Sequence, residues 1–134
     1  AAEIFASGAW RLEDMKGLTK QKFFYIVSEG DTKAFKSQNE IIELFKVNKI
    51  PYKISESWDA KMNEQRTLNA MNMLLEGKSS ANFIRFQRGS VLPDDLPEGT
   101  NLENAEHFYT FNNVFKIQPL RDWLFRQSRK DETR

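Results

Sequence analysis

The chain has 134 residues, 20 Lys+Arg against 19 Asp+Glu for a formal net charge of +1, one histidine and no cysteine. A length near the usual domain size, with 40% hydrophobic residues and 11 Phe, is enough for a core, so one unit over 1–134 is expected and global disorder is not. The missing cysteines exclude a disulfide framework, a thiol nucleophile, an iron–sulfur cluster and a Cys-type zinc site, and a single histidine excludes a His-rich metal cluster. No apolar run approaches the ~20 residues that cross a bilayer, and no leader pattern is read at Ala1. An intracellular protein, nuclear or cytoplasmic, with no membrane partner is expected.

Residues 9–13 alternate apolar and polar as a strand does, and 15–20 read as a glycine-bearing basic loop. Phe23-Phe24-Tyr25-Ile26-Val27 is an aromatic and β-branched run that predicts a strand buried on at least one face. Ser28-Glu29-Gly30-Asp31 follows as a turn, and Thr32 to Phe35 is expected to return antiparallel as the second arm of a hairpin. Ser37 and Glu40 have capping-box spacing, so a helix is predicted from Gln38 to Val47, ending near Asn48 ahead of Pro51.

Tyr52 to Ile54 suits a short strand, and any internal boundary would fall near 55–57. Ser57 is then expected to cap a helix from Trp58 to Glu76, with Leu68, Met71, Leu74 and Leu75 on one face and Gly77 stopping it. Phe83 to Arg88 predicts a strand closed by Gly89, and Ser90 to Asn101 a long surface loop. His107–Phe111 and Val114–Ile117 flank Asn112-Asn113 and are expected to form a second hairpin. Pro119 opens a final helix with Leu120, Trp123 and Leu124 on one face and a fraying polar tail from Arg126. Together these elements predict an α+β fold, a small antiparallel sheet or sheets packed against two or three helices.

Near-neutral net charge gives no global attraction to polyanions, so such binding must come from local segregation. Residues 78–88 carry Lys78, Arg85 and Arg88 without an acid, and 116–130 carry five bases against Asp122 alone, whereas 91–106 carry Asp94, Asp95, Glu98, Glu103 and Glu106 without a base. Catalytic chemistry is sparse: His107 is the lone histidine and reads as a structural or surface residue, no glycine-rich phosphate loop precedes a Lys-Ser/Thr pair, and Asp94-Asp95 lack the downstream strand of a metal nuclease.

Gly8-Ala9-Trp10, the basic loop 16–20, the paired aromatics Phe24-Tyr25, Gly30 and then Phe35-Lys36-Ser37 opening a helix together resemble the methyl-CpG-binding-domain group over residues 8–47. Integrase-type arm-binding and plant AP2 domains are similar at this coarse level. The resemblance implies a three-stranded sheet on one helix, laid on duplex DNA. Lys36 stands where that group has a guanine-reading arginine, the loop is shorter, and the orienting aspartate is not found before Phe23, so methyl-CpG specificity does not carry over.

The function expected is therefore a non-enzymatic DNA- or nucleic-acid-binding accessory protein without a cofactor or metal. Its contacts would be Arg11, Lys16, Lys20, Lys22, Lys33 and Lys36 in the first half, Arg85 and Arg88, and Arg126 and Arg129 in the last helix. An alternative is a protein–protein module or viral or regulatory inhibitor, with Trp58 or Trp123 as anchor and Asp94 and Asp95 on an acidic rim. A metal-dependent nuclease using Asp94 and Asp95 is the second alternative.

Overall fold

The computed structural model describes residues 2–8, 17, 22–76 and 79–132. The predicted strand at 9–13 and, Gly17 apart, the basic loop lie outside these, as does Gly77. Among the described residues the chain forms strand β1 (Ala2–Ala6), β2 (Lys22–Ser28), helix α1 (Thr32–Val47), β3 (Lys53–Trp58), α2 (Glu64–Glu76), β4 (Ala81–Phe86), α3 (Leu102–Val114) and α4 (Gln118–Glu132).

The four strands make one sheet in the order β1-β2-β4-β3, and every pairing is parallel. This corrects the antiparallel α+β expectation: the fold is α/β. The reason lies in β2 and β4. Phe23 to Ser28 and Ala81 to Phe86 are buried at every position, on both faces of the sheet. Strands covered on both faces belong to parallel sheets, whose helical crossovers supply the covering layers.

The first predicted hairpin fails at Asp31. Its carboxylate accepts from the Ala34 N–H at 3.4 Å as the N-cap of α1, so Thr32 to Phe35 open a helix instead of returning as a strand. Ala34, Gln38, Ile41, Ile42 and Phe45 then fall on one buried face. The Asn48 terminus agrees with the sequence reading: its N–H donates to Leu44 O at 3.1 Å.

Trp58 also changes role. It closes β3, 5% exposed and 6.3 Å from the Phe86 ring, and α2 begins only at Glu64, where Asn63 Oδ1 accepts from the Arg66 N–H at 2.9 Å. Residues 55–57 thus lie inside a strand paired with β4. The second predicted hairpin is helix as well. Asn101 caps α3 by accepting from the Asn104 N–H at 3.1 Å, and Asn113 donates to Tyr109 O at 2.7 Å, one turn back, where a hairpin turn was expected.

The two faces of the sheet have separate cores. On one, α1 covers Phe23, Tyr25, Val27 and Phe83, with Phe45 meeting Phe83 edge-on at 5.7 Å. On the other, α2, the end of α3 and α4 bury Phe24, Ile26, Ile84 and Phe86, and Trp123 stands edge-on to Phe24 at 4.8 Å. The chain steps past one strand from β2 to β3 with α1 on the first face. It reverses from β3 to β4 with α2 on the second, as a constant crossover hand requires.

Polar groups inside the α1 layer are matched. Gln38 donates to Tyr25 O at 2.9 Å and accepts from Arg85 Nε at 2.7 Å, and the Arg85 guanidinium lies 4.7 Å from the Phe35 ring centroid. Tyr25 donates to Gly8 O at 2.7 Å. Burial, opposed by the Ser37 hydrogen bond and assisted by the nearby Asp31 and Glu40 charges, pushes the Tyr25 phenol up to about 12. The folded state thus keeps this proton where the unfolded chain, near 10.0, releases it. Tyr25 therefore contributes stability that is complete below that unfolded value and is lost as pH rises through the folded one. Near-ultraviolet titration of native protein should show one tyrosine ionising at about pH 12, absent in Tyr25→Phe, and the alkaline loss of stability should be shallower in that variant.

Candidate functional site

In an open parallel sheet, ligands gather beyond the carboxyl ends of the strands, where neighbouring connections leave toward opposite faces. Here that place lies between β2 and β4. The chain leaves β2 into α1 on one face and leaves β4, through residues 87–101, into α3, whose C-terminal part packs on the other.

Residues of α3 close this crevice. The Glu106 carboxylate is buried, accepts from Ser28 Oγ at the end of β2, and accepts from the Gly89 N–H after β4 at 2.6 Å. Gly30 passes directly beneath, and a Cβ there would overlap the Glu106 side chain. Ser7, which leaves β1 in the left-handed region at φ 58°, donates from Oγ to His107 O at 2.8 Å. Three adjacent strand ends are thereby fastened to two consecutive residues of one helix.

His107 points its chemistry the other way. Its Nδ1 lies 2.6 Å from Asp31 Oδ2, with the carboxylate side chain 5% exposed and the imidazole 58% exposed. Asp31 divides its oxygens between helix and ring: Oδ1 caps α1 and Oδ2 takes His107. A proton held on Nδ1 by that carboxylate leaves Nε2 as a base, and protonation of Nε2 creates an ion pair with the same carboxylate. Asp31 and His107 line a cleft of about 310 Å³ together with Lys33, Glu103 and Asn104. That mix offers a cation, a carboxylate, an amide and a proton-transfer group to one small polar ligand. Among the described residues no cluster of three or more His, Asp or Glu could hold a metal ion, and no helix is long and apolar enough to cross a membrane.

The expected nucleic-acid contacts that lie among the described residues are spread over several places. Arg11, Lys16 and Lys20 lie outside the described residues. Lys22 is exposed at the amino end of β2, a strand length from the carboxyl edge of the sheet, the crest, while Lys33, Lys36 and Arg88 are exposed at or near it. Arg85 is 8% exposed and belongs to the α1 core, a correction to its surface assignment. Exposed Arg126 is on α4, across the sheet from Lys36, and Arg129 belongs to the same helix with its side chain outside those described. Trp58 and Trp123, expected as partner anchors, are core residues at 5% and 7% exposure. Asp94 and Asp95 are exposed, and the Lys61 ammonium, 2.8 Å from Asp94, holds that carboxyl below its ordinary range, first by hydrogen bonding and then by charge.

The sequence reading passed over Asp31, Ser28 and Glu106. Asp31 ahead of Ala34, Ile41, Ile42 and Phe45 at helical spacing is an N-cap signal, and it would have placed a helix after β2.

Gly30→Ala should destabilise the protein by ~1–3 kcal/mol in urea unfolding, because the methyl group meets the Glu106 side chain. In the Glu106→Ala background the added cost should fall well below that, a coupling that a double-mutant cycle reads directly. No family model, curated protein or solved structure matches this chain.

Proposed function

We propose that the protein binds a small polar ligand in the cleft between the start of α1 and α3 and exchanges a proton with it through His107. The observation carrying this reading is the buried Asp31 carboxylate, 2.6 Å from a largely exposed imidazole, both lining one cleft. Lys33 meets an acceptor or anionic group of the ligand, Asn104 and Glu103 its donors, and Asp31 orients the ring. The reading makes His107 a proton-transfer residue and Asp31 a positioning residue.

A screen of small polar metabolites by ligand-observed NMR, followed by protein-observed NMR of the hits on the unaltered chain and on His107→Gln and Asp31→Asn variants of verified fold, tests it. Binders should shift the His107 ring resonances and weaken roughly tenfold or more in His107→Gln. Binding undiminished in that variant, or resonance changes confined to other surfaces, overturns the reading.

A second reading, contact with duplex nucleic acid, is favoured by Lys33 and Lys36, exposed and one turn apart on α1, with Arg88 on the same crest. Three phosphate contacts give a log–log salt slope of about −2.7, reduced by Lys33→Glu/Lys36→Glu. No binding at low salt, or a slope near zero, removes it.

A further inference from the structure

We propose that the outer faces of α3 and α4 form the contact between two copies of this chain. Phe108 and Phe111 of α3 and its capping residue Phe115 recur at helical spacing, 62%, 52% and 55% exposed, and Phe125 of α4 is 69% exposed. At ~200 Å² for each side chain, these four leave roughly 480 Å² of aromatic surface in water. A stable interface covers ~800 Å² on each partner, so the stripe supplies more than half of one.

The shape and charge of this face favour its own copy over another occupant. Phe111, Phe115 and Phe125 line, with Ile4, a groove of about 420 Å³, and Phe111 and Phe115 meet edge-on at 4.8 Å. Phe108 stands one helical turn away from Phe111, outside that groove, as a projecting ring. A twofold axis sets the ring of each copy into the groove of the other, since an isologous contact needs one surface carrying both halves. Glu3 and Arg121 line the groove as well, so the same axis sets acid against base in both directions.

Sedimentation velocity across a concentration series tests this, with circular dichroism verifying the fold of each variant. The unaltered chain should show a reversible monomer–dimer equilibrium. Phe111→Ser/Phe115→Ser should raise its dissociation constant roughly tenfold or more. Glu3→Arg and Arg121→Glu should each weaken the dimer, and the two together should restore it. A chain that stays monomeric up to millimolar concentration, a dimer indifferent to the phenylalanine changes, or a double charge reversal that fails to restore association each overturns the proposal. So does a monomer whose stripe is protected only by lipid vesicles or by a different protein.

Discussion

A carboxylate buried at the carboxyl end of a parallel sheet must be matched or it will not stay buried, and Glu106 shows how this chain meets that constraint. One of its oxygens takes the Ser28 hydroxyl and the other the Gly89 N–H, so a helix is tied at once to β2 and to the loop after β4. The geometry leaves no room for a side chain at position 30. Burial, the two donors and the bare backbone beneath are one arrangement, and removing any part leaves a charge without its partners. The next residue, His107, inherits its position from that anchorage and from the Ser7 hydroxyl on its carbonyl oxygen.

Asp31 carries the complementary constraint on the other side of the crevice. It ends the turn after β2, accepts from the Ala34 N–H to start α1, and spends its second oxygen on His107. A helix N-terminus favours negative charge, so the site that begins α1 also suits a carboxylate that must face an imidazole. The crest thus joins folding and chemistry in the same atoms. Among the described residues, some of the cations that cluster in sequence are set apart by the fold. Arg85 is spent inside the α1 layer against Gln38 and Phe35, and the sheet separates Lys36 from Arg126.

Much of the secondary structure was legible because its signals are local. The runs at 23–27 and 83–86, the helix end at Asn48, the loop from 90 to 101 and the buried pair Leu120 and Trp123 all follow from composition over a few residues. Strand direction is a different kind of property. A hairpin and a βαβ unit share the same first strand and the same polar turn, and they diverge only in the residues after the turn. Asp31 with Ala34, Gln38, Ile41 and Phe45 specified a helix, but the β-branched Thr32 beside Phe35 suggested a strand over the same residues. Burial of β2 on both faces decides the matter in favour of parallel pairing, and on one of those faces that burial depends on helices distant in sequence. The site was less legible still. His107 stood out for its type alone, whereas its partner lies 76 positions away and Glu106 reaches back 78 positions to Ser28.

Helix α3 explains the largest single misreading and bears on both the polar cleft and the aromatic stripe. An ordinary amphipathic helix hides its aromatic residues and shows its polar ones. This helix buries Glu106 and Thr110 beside Ala105 and Val114, and shows Phe108 and Phe111 to solvent. By the usual rule such a segment is not recognised as helix, because the face turned to the core carries Glu106 and Thr110 while the apolar row at 108, 111 and 115 faces away. The inversion has a physical cause at each position. Glu106 faces inward because the strand ends present donors there, and Thr110 follows it because its hydroxyl donates to the Glu106 carbonyl at 2.6 Å. With those positions committed to polar contacts, the phenyl groups project from the remaining face, where only another apolar surface offsets their exposure to water. Departures from local rules concentrate where a protein does something besides fold. In this chain they coincide on one helix, which presents an imidazole on one side and a row of phenyl rings on the other.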